Sequence, residues 1–370
     1  MPPSVPRPKL LLTCGDPAGI GPEVVVAAWA VTPAHARAAL RVVADARMLA
    51  DVLAANGHLP RLAIVEVGPD DPRPSAPDAL LVVPSSTEDG PPLDPSPARG
   101  AITAAGGAAA ARAVETAAAL VRRGAAQAIV TGPLHKKALH AAGYDVPGHT
   151  ELLARGCGLP DSAASMMLWL PSLPPAGGPD RPAGLGVVHA TLHESLRTAV
   201  EHLSSDGIVQ AGRRLAAVLG ALLGRRPRIA VAALNPHAGE AGLFGDEEAR
   251  LIAPAVERLV RGGIDATGPL PADTLFLRAS RGEFDGVVAQ YHDQGHIPIK
   301  LLGMHRAVNI TLGLPLVRTS VAHGTAFDIV GTAAADPASM LAAIDVAERL
   351  VAAGGPVAVA AVTAAAGRGA

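Results

Sequence analysis

Residues 9–23 read KLLLTCGDPAGIGPE, and this stretch sets the fold. An apolar run of strand length meets a glycine- and proline-rich turn, and a helix follows through Val24–Trp29. The same alternation returns in LRVVADARML at 40–49 and RLAIVEV at 61–67. A long alanine helix over about 101–123 stops at Gly124 and feeds AQAIVTGP, 126–133. Further on come a helix over 197–223, the strand RIAVAALNP (228–236), a helix over 247–261 and the strand DGVVAQYHD (285–293). VNITLGLPLVRTS (308–320) and a helix over 337–353 end the series, and no internal repeat occurs. Alternation of this kind predicts a parallel α/β sheet. Residues 68–99 are proline-rich and read as loop around one short strand, LLVV. PSLPPAGGPDRPAG, 171–184, separates SMMLWL from LGVVHA and predicts two strands on a loose connection, a hairpin or a sheet edge.

With 370 residues the chain suits one large or two medium domains, and 49% hydrophobic residues support a well-buried core. A formal charge of −2 argues against general affinity for nucleic acid or an anionic membrane. Aromatics at 2% offer no stacking platforms for bases. Two cysteines, Cys14 and Cys157, cannot build a disulfide framework, which fits a reduced compartment. The start, MPPSVPRPK, lacks signal-peptide character, and no run of 18 apolar residues follows. A soluble, cytoplasmic chain is the expectation.

Polar clusters recur where strands end: TCGDP, VTGPLHKK, VVHATLHE, AALNPHAGE, VAQYHDQGH and LVRTSVAHGT. In open α/β sheets the ligand crevice lies at that edge, so the clusters together predict an active site. Of 13 histidines, His35, His58, His140 and His202 sit in helix or loop contexts that suit packing or solvent. His193, His237 and His292 each follow an apolar strand, and three imidazoles from three strand ends can converge on one divalent metal. Asp293 beside His292 would orient it or act as a fourth ligand. The bland alternative is three unrelated polar strand caps, and spacing alone does not choose between His189 and His193.

Anion sites follow. GDPAGIGPE can aim backbone N–H groups at an anion, or it is simply a tight strand-to-helix turn; it is neither GxGxxG nor a P-loop. In GHTE (148–151), Thr150 either caps the next helix or joins His149 in gripping a phosphate. Lys300, Asn309 and Arg318 add two cations and an amide, and Arg318 stands among apolar residues, where a buried guanidinium needs an anion. A phosphorylated or carboxylated small substrate follows. AHGTAFDIVG, 322–331, reads as a glycine turn into a helix, or as a loop whose backbone and Asp328 hold an adenosine.

The chain resembles the PdxA family, the 4-hydroxythreonine-4-phosphate dehydrogenases. The likeness runs through GDPAGIGPE, TGPLHKK, GHTE, NPHAGE, GPLPADTLF, YHDQG and VNITLGLPLVRTSVAHGTAFD, in that order. It implies two α/β/α domains around a cleft, as in isocitrate and isopropylmalate dehydrogenases: 1–130 plus 305–370 with the NAD adenosine loop, and 131–304 with the metal ligands and dimer interface. HGTAFDI resembles the HG[ST]AxDI loop of those enzymes, which places His323, Gly324, Thr325 and Asp328 on NAD or NADP. The resemblance also implies His193, His237 and His292 as ligands of one divalent metal (Zn, Mg, Mn or Co), and its T-x-H-x-x-L pattern favours His193 over His189. Substrate contacts would be His149, Thr150, Lys300, Asn309 and Arg318, with Asp293 or Lys300 moving protons. A homodimer with a shared site, one ligand coming from the partner chain, is implied as well.

The implied reaction oxidises the 3-hydroxyl of a 4-phosphorylated hydroxy acid with NAD(P), and the keto acid then loses CO2. A place in vitamin B6 biosynthesis goes with the family. Departures bear on the substrate. His135 stands where family members more often have asparagine, and Ala322 where they have aspartate. GLFGDEE (242–248) and His296 resemble a branch acting on 4-phospho-D-threonate or 4-phospho-D-erythronate, and a dihydrodiol dehydrogenase belongs to the wider family. A metal-dependent hydrolase using the three histidines and Asp293 without NAD is the reading from another class.

Overall fold

A computed structural model describes residues 7–85, 98–171 and 184–355. The chain forms two compact units, one running through Ser165 and resuming at Leu314, the other from Met166 through Gly313. The first carries β1 (Lys9–Thr13), α1 (Gly21–Val31), β2 (Ala39–Ala44), α2 (Ala46–Ala55), β3 (Ala63–Glu66), β4 (Ala79–Pro84), α3 (Ala104–Arg122), β5 (Ala128–Thr131), α4 (Lys136–Ala141) and α5 (His149–Gly156). The second carries β6 (Ser165–Leu170), β7 (Leu185–His189), α6 (Leu196–His202), α7 (Ser205–Leu223), β8 (Arg228–Ala232), α8 (Ala253–Arg261), β9 (Asp265–Leu270), α9 (Ala272–Ser280), β10 (Gly286–Ala289), α10 (His292–Gly303) and β11 (Val308–Leu312). Strand β12 (Val317–Val321) and helix α11 (Ala338–Ala352) complete the first unit. The α/β expectation holds.

In the first unit the strands lie in the order β3-β4-β2-β1-β5-β12, with every pair parallel. Strands covered on both faces read as unbroken apolar runs. Leu10, Leu11 and Leu12 of β1 are accordingly all buried. Sequence reading drew the unit limits at 130/131 and 304/305, whereas the compact units change at 165/166 and 313/314. Helices α4 and α5 pack on α3, which keeps residues 131–165 with the first unit. The approach is close: a Cβ on Gly107 of α3 would lie 2.0 Å from the Ala138 carbonyl oxygen of α4.

The second unit has the order β11-β6-β7-β10-β8-β9. SMMLWL and LGVVHA do pair, antiparallel, as β6 and β7, while β7, β10, β8 and β9 run parallel. Residues 172–183 of their connection lie outside the described residues, as do 86–97 of the proline-rich loop. The helix expected over 197–223 is two helices. Ser195 caps α6, Leu203 is extended, and the Ser204 side chain accepts the Gly207 N–H to start α7 afresh. The helix expected over 247–261 opens with a wide turn at Glu248–Ile252, and Pro254 stands in the first turn of α8, where a missing N–H costs nothing. The strand expected over 285–293 ends at Ala289, and most of YHDQGHIPIK (291–300) is helix: α10 begins at His292 and carries Pro298 inside it. Among the described residues no helix is long and apolar enough to cross a membrane.

Candidate active site

In the second unit, four histidines gather where β7 ends and α10 begins. His189 closes β7 and is buried, and its Nε2 lies 3.1 Å from Nδ1 of His296. Residues four apart share a helix face. His292 and His296 therefore stack, with ring centroids 3.7 Å apart and planes 10° from parallel. The His193 ring lies 5.7 Å from that of His292. Gly295 makes this approach possible, because a Cβ there would sit 2.5 Å from His189 Nε2. Burial, and then the charges of His292 and Lys300, push His296 down to about 4. Burial, followed by the neighbouring histidines, also holds His189 well below the usual imidazole range.

Neutral imidazole is the ligating form. Asp293 Oδ1 lies 2.7 Å from His292 Nδ1, a contact that puts the proton on that nitrogen and leaves Nε2 as the donor to a metal. His193 and His292 thus fit a divalent metal as two of its ligands. His237 does not join them. It opens a left-handed run, with φ of 51° at His237 and 55° at Ala238, on the loop after β8. Glu248 holds that loop, accepting the N–H groups of Leu234 and Asn235 at 2.9 and 2.7 Å. Among the described residues no ring contact ties His237 to the cluster, and no three His, Cys, Asp or Glu side chains are grouped to hold a metal ion. Lys300 shares the His292–His296 face of α10 and is exposed. Asn309, on β11, has a buried Oδ1 without a hydrogen-bond partner.

The first unit brings together a second set. Arg318 in β12 is buried, and its Nε and Nη2 donate to Thr131 Oγ1 at 3.1 and 2.7 Å. Burial pushes the guanidinium down to about 9 against the opposing pull of Glu151. His149 opens α5, and its Nε2 is buried without a partner. Burial and then the Arg318 charge hold it well below the usual range, so it is neutral at pH 7. Thr150 follows it in the first turn of α5. Thr131, which the sequence reading did not single out, stands in the VTGP cluster at the end of β5; its position just before the Gly132 turn is the signal that could have found it.

The 323–328 loop is braced by the glycine turn after β1. Ile20 donates its N–H to the Thr325 carbonyl at 3.0 Å, and a Cβ on Gly19 would lie 2.6 Å from that oxygen. The Gly331 N–H donates to Glu23 Oε1 at 3.0 Å, and Arg99 pairs with the same carboxylate oxygen. Asp16, Gly19 and Ile20 donate their N–H groups to backbone carbonyls, and Ala18 donates to the Asp16 side chain. The anion-site reading of GDPAGIGPE therefore gives way to the tight turn. His323 Nδ1 bonds the Gly324 carbonyl at 2.9 Å, leaving Nε2 a buried acceptor without a partner, a group that suits a ligand's donor. Asp328 lies in a short 3-10 turn, Phe327–Ile329, whose Phe327 ring is 5.4 Å from His135.

A buried arginine with a neutral imidazole beside it, and a separate cluster of four histidines, all near strand ends, define an α/β protein with an anion-binding group and a set of gathered imidazoles. Comparison with known proteins narrows the class. The family described as Pyridoxal phosphate biosynthetic protein PdxA matches residues 36–347. A 4-hydroxythreonine-4-phosphate dehydrogenase of Beijerinckia indica is 45% identical over 344 residues, covering 92% of this chain and 94% of the relative. A D-threonate 4-phosphate dehydrogenase of Pectobacterium atrosepticum is 41% identical over 341 residues, covering 92% and 98%. The crystal structure of a 4-hydroxythreonine-4-phosphate dehydrogenase from Klebsiella pneumoniae, 41% identical, aligns with a TM-score of 0.77 over 94% of this chain and 99% of that one. The chain belongs to the PdxA family.

Proposed function

We propose that the protein is a metal-dependent NAD(P) dehydrogenase that oxidises the 3-hydroxyl of a 4-phosphorylated hydroxy acid. The substrate is 4-hydroxythreonine 4-phosphate, with 4-phospho-D-threonate or 4-phospho-D-erythronate as the alternative, and the keto acid then loses CO2. The buried Arg318 beside the neutral His149 carries this reading, because a buried guanidinium is stabilised by an anion. The names of the relatives, which include both 4-hydroxythreonine-4-phosphate and D-threonate 4-phosphate dehydrogenases, support both substrates.

Arg318 and Lys300 would neutralise the phosphate and carboxylate. His149 Nε2 accepts a hydrogen bond from a substrate hydroxyl or protonated phosphate oxygen, Thr150 adds its hydroxyl, and Asn309 Oδ1 accepts another. His193 and His292 would hold the metal, with a further ligand drawn from the partner chain as the resemblance implies, and His323, Gly324, Thr325 and Asp328 would hold the adenosine of the nicotinamide cofactor. When bound, the metal supplies polarisation of the alcohol oxygen and the cofactor a hydride acceptor. Asp293 fixes the His292 ring and stands ready, solvent-exposed, to take the alcohol proton.

Replacing Arg318 with Met is expected to raise the KM for the phosphorylated acid at least tenfold, the scale of one charge-assisted hydrogen bond. An unchanged KM would remove Arg318 from the substrate site. We read the protein as a homodimer formed through its second unit, where Ile297, Leu301 and Met304 of the α10 region, with Leu243 and Phe244, are exposed apolar side chains. Sedimentation at twice the chain mass would bear this out, and a monomer at micromolar concentration would refute it.

A further inference from the structure

We propose that Thr131 is the positioning residue of the anion cradle, its hydroxyl fixing the Arg318 guanidinium for the dianionic phosphate of the substrate. This rests on the reading of Arg318 as the substrate's anion contact. Thr131 ends β5 and is in register with Ser320 of the parallel β12, so hydroxyl and guanidinium come from adjacent strands. Thr131 is 0% exposed and Arg318 2%. Two guanidinium bonds go to one oxygen, Nε at 3.1 Å and Nη2 at 2.7 Å. An arginine side chain turns about four bonds, and its planar fork is useful for a phosphate only when its plane is set. Two bonds on one edge set it.

The chemical identity of the partner matters as much as its place. A carboxylate here would fix the plane equally well but would also neutralise the cation, leaving little for an anionic ligand. A hydroxyl accepts both N–H groups on its two lone pairs and carries no charge. Glu151 acts on Arg318 from the first turn of α5, and its effect is outweighed by that of burial. His149, the imidazole beside it, is neutral and so does not dilute the preference for a dianion. The cradle thus keeps a positive charge in a buried form, and Thr131 orients it through two bonds on one edge.

The test uses the full chain with Thr131→Val, which keeps the shape and deletes the acceptor, and Thr131→Ser, which restores it. The readouts are the KM for the phosphorylated substrate, kcat, the KM for NAD, and the Kd for inorganic phosphate by calorimetry, with Arg318→Met alongside. Thr131→Val is expected to raise the substrate KM and the phosphate Kd about tenfold, the worth of a hydrogen bond to a charged group. It leaves kcat and the KM for NAD unchanged, and Thr131→Ser recovers most of the loss. If Arg318→Met loses phosphate while Thr131→Val binds it like the parent, the positioning role is wrong and the cradle stands. If Arg318→Met also binds like the parent, the cradle itself is wrong. Equal losses in kcat and both KM values for Thr131→Val would show a structural role only, and that too overturns the proposal.

Discussion

Asp16 shows how much one carboxyl can set at the residue scale. It is fully buried after β1; Oδ1 accepts the Ala18 N–H at 3.0 Å, and Oδ2 has no hydrogen-bond partner. Burial pushes the carboxyl up to about 6. Because the folded state holds the proton more tightly than the unfolded chain, the contribution of Asp16 to stability is fully present below about pH 4 and is lost as pH rises through about 6. The loss amounts to roughly 3 kcal/mol. Asp16→Asn keeps the acceptor and removes the charge, so it should melt several degrees higher than the parent at pH 8 and about equally at pH 4. A lower melting temperature at pH 8 would show that the ionised carboxylate is itself stabilised, with the first turn of α3 the nearest source. The sequence marked Asp16 as a turn residue. Its burial was not legible, because what covers it is Gly106 of α3, where a Cβ would come within 2.4 Å of Oδ1.

At the scale of elements, α10 carries the clearest lesson. The stretch YHDQGHIPIK shows glycine, proline and dense polarity, all of which suggest loop, and tertiary packing overrides them. Gly295 lets the helix lie on β7 against His189 and Val187, and Pro298 leaves only one backbone donor out. The signal within reach was the spacing of His292, His296 and Lys300, four residues each, which puts all three on one helical face. Adding a Cβ at Gly295 would place it 2.5 Å from His189 Nε2 and 2.7 Å from Val187 Cγ1. Gly295→Ala should therefore cost about 1–3 kcal/mol in denaturant titration and shift the His292 and His189 resonances. A variant as stable as the parent would mean that α10 is free to move off the strand. The break between α6 and α7 has a local cause that a periodicity count misses: two serine caps, separated by the seven residues of α6 and one extended leucine, divide an otherwise continuous apolar pattern.

For the whole molecule, apolar strands followed by glycine turns carried the α/β class, because parallel strands buried on both faces leave that pattern in any sequence. Arg318 was legible as a buried cation for the same reason, being the one charge in an apolar run. The limits of the two units were not, since they depend on which helix α4 and α5 pack against. His193 and His292 come together in the second unit, while His237 remains apart on a left-handed loop that no local pattern foretells. The proposed function joins these parts to one chemistry: oxidation of a phosphorylated hydroxy acid. Reduction of NAD by the purified protein, supplied with a divalent metal, tests that claim most directly when 4-hydroxythreonine 4-phosphate, 4-phospho-D-threonate and 4-phospho-D-erythronate are each compared with the dephosphorylated acid. Growth of the reduced-nicotinamide absorbance with at least one phosphorylated acid, with none from its dephosphorylated counterpart at equal concentration, is the predicted result. Absence of reduction with all three phosphorylated acids, or equal rates with and without the phosphate, would contradict it.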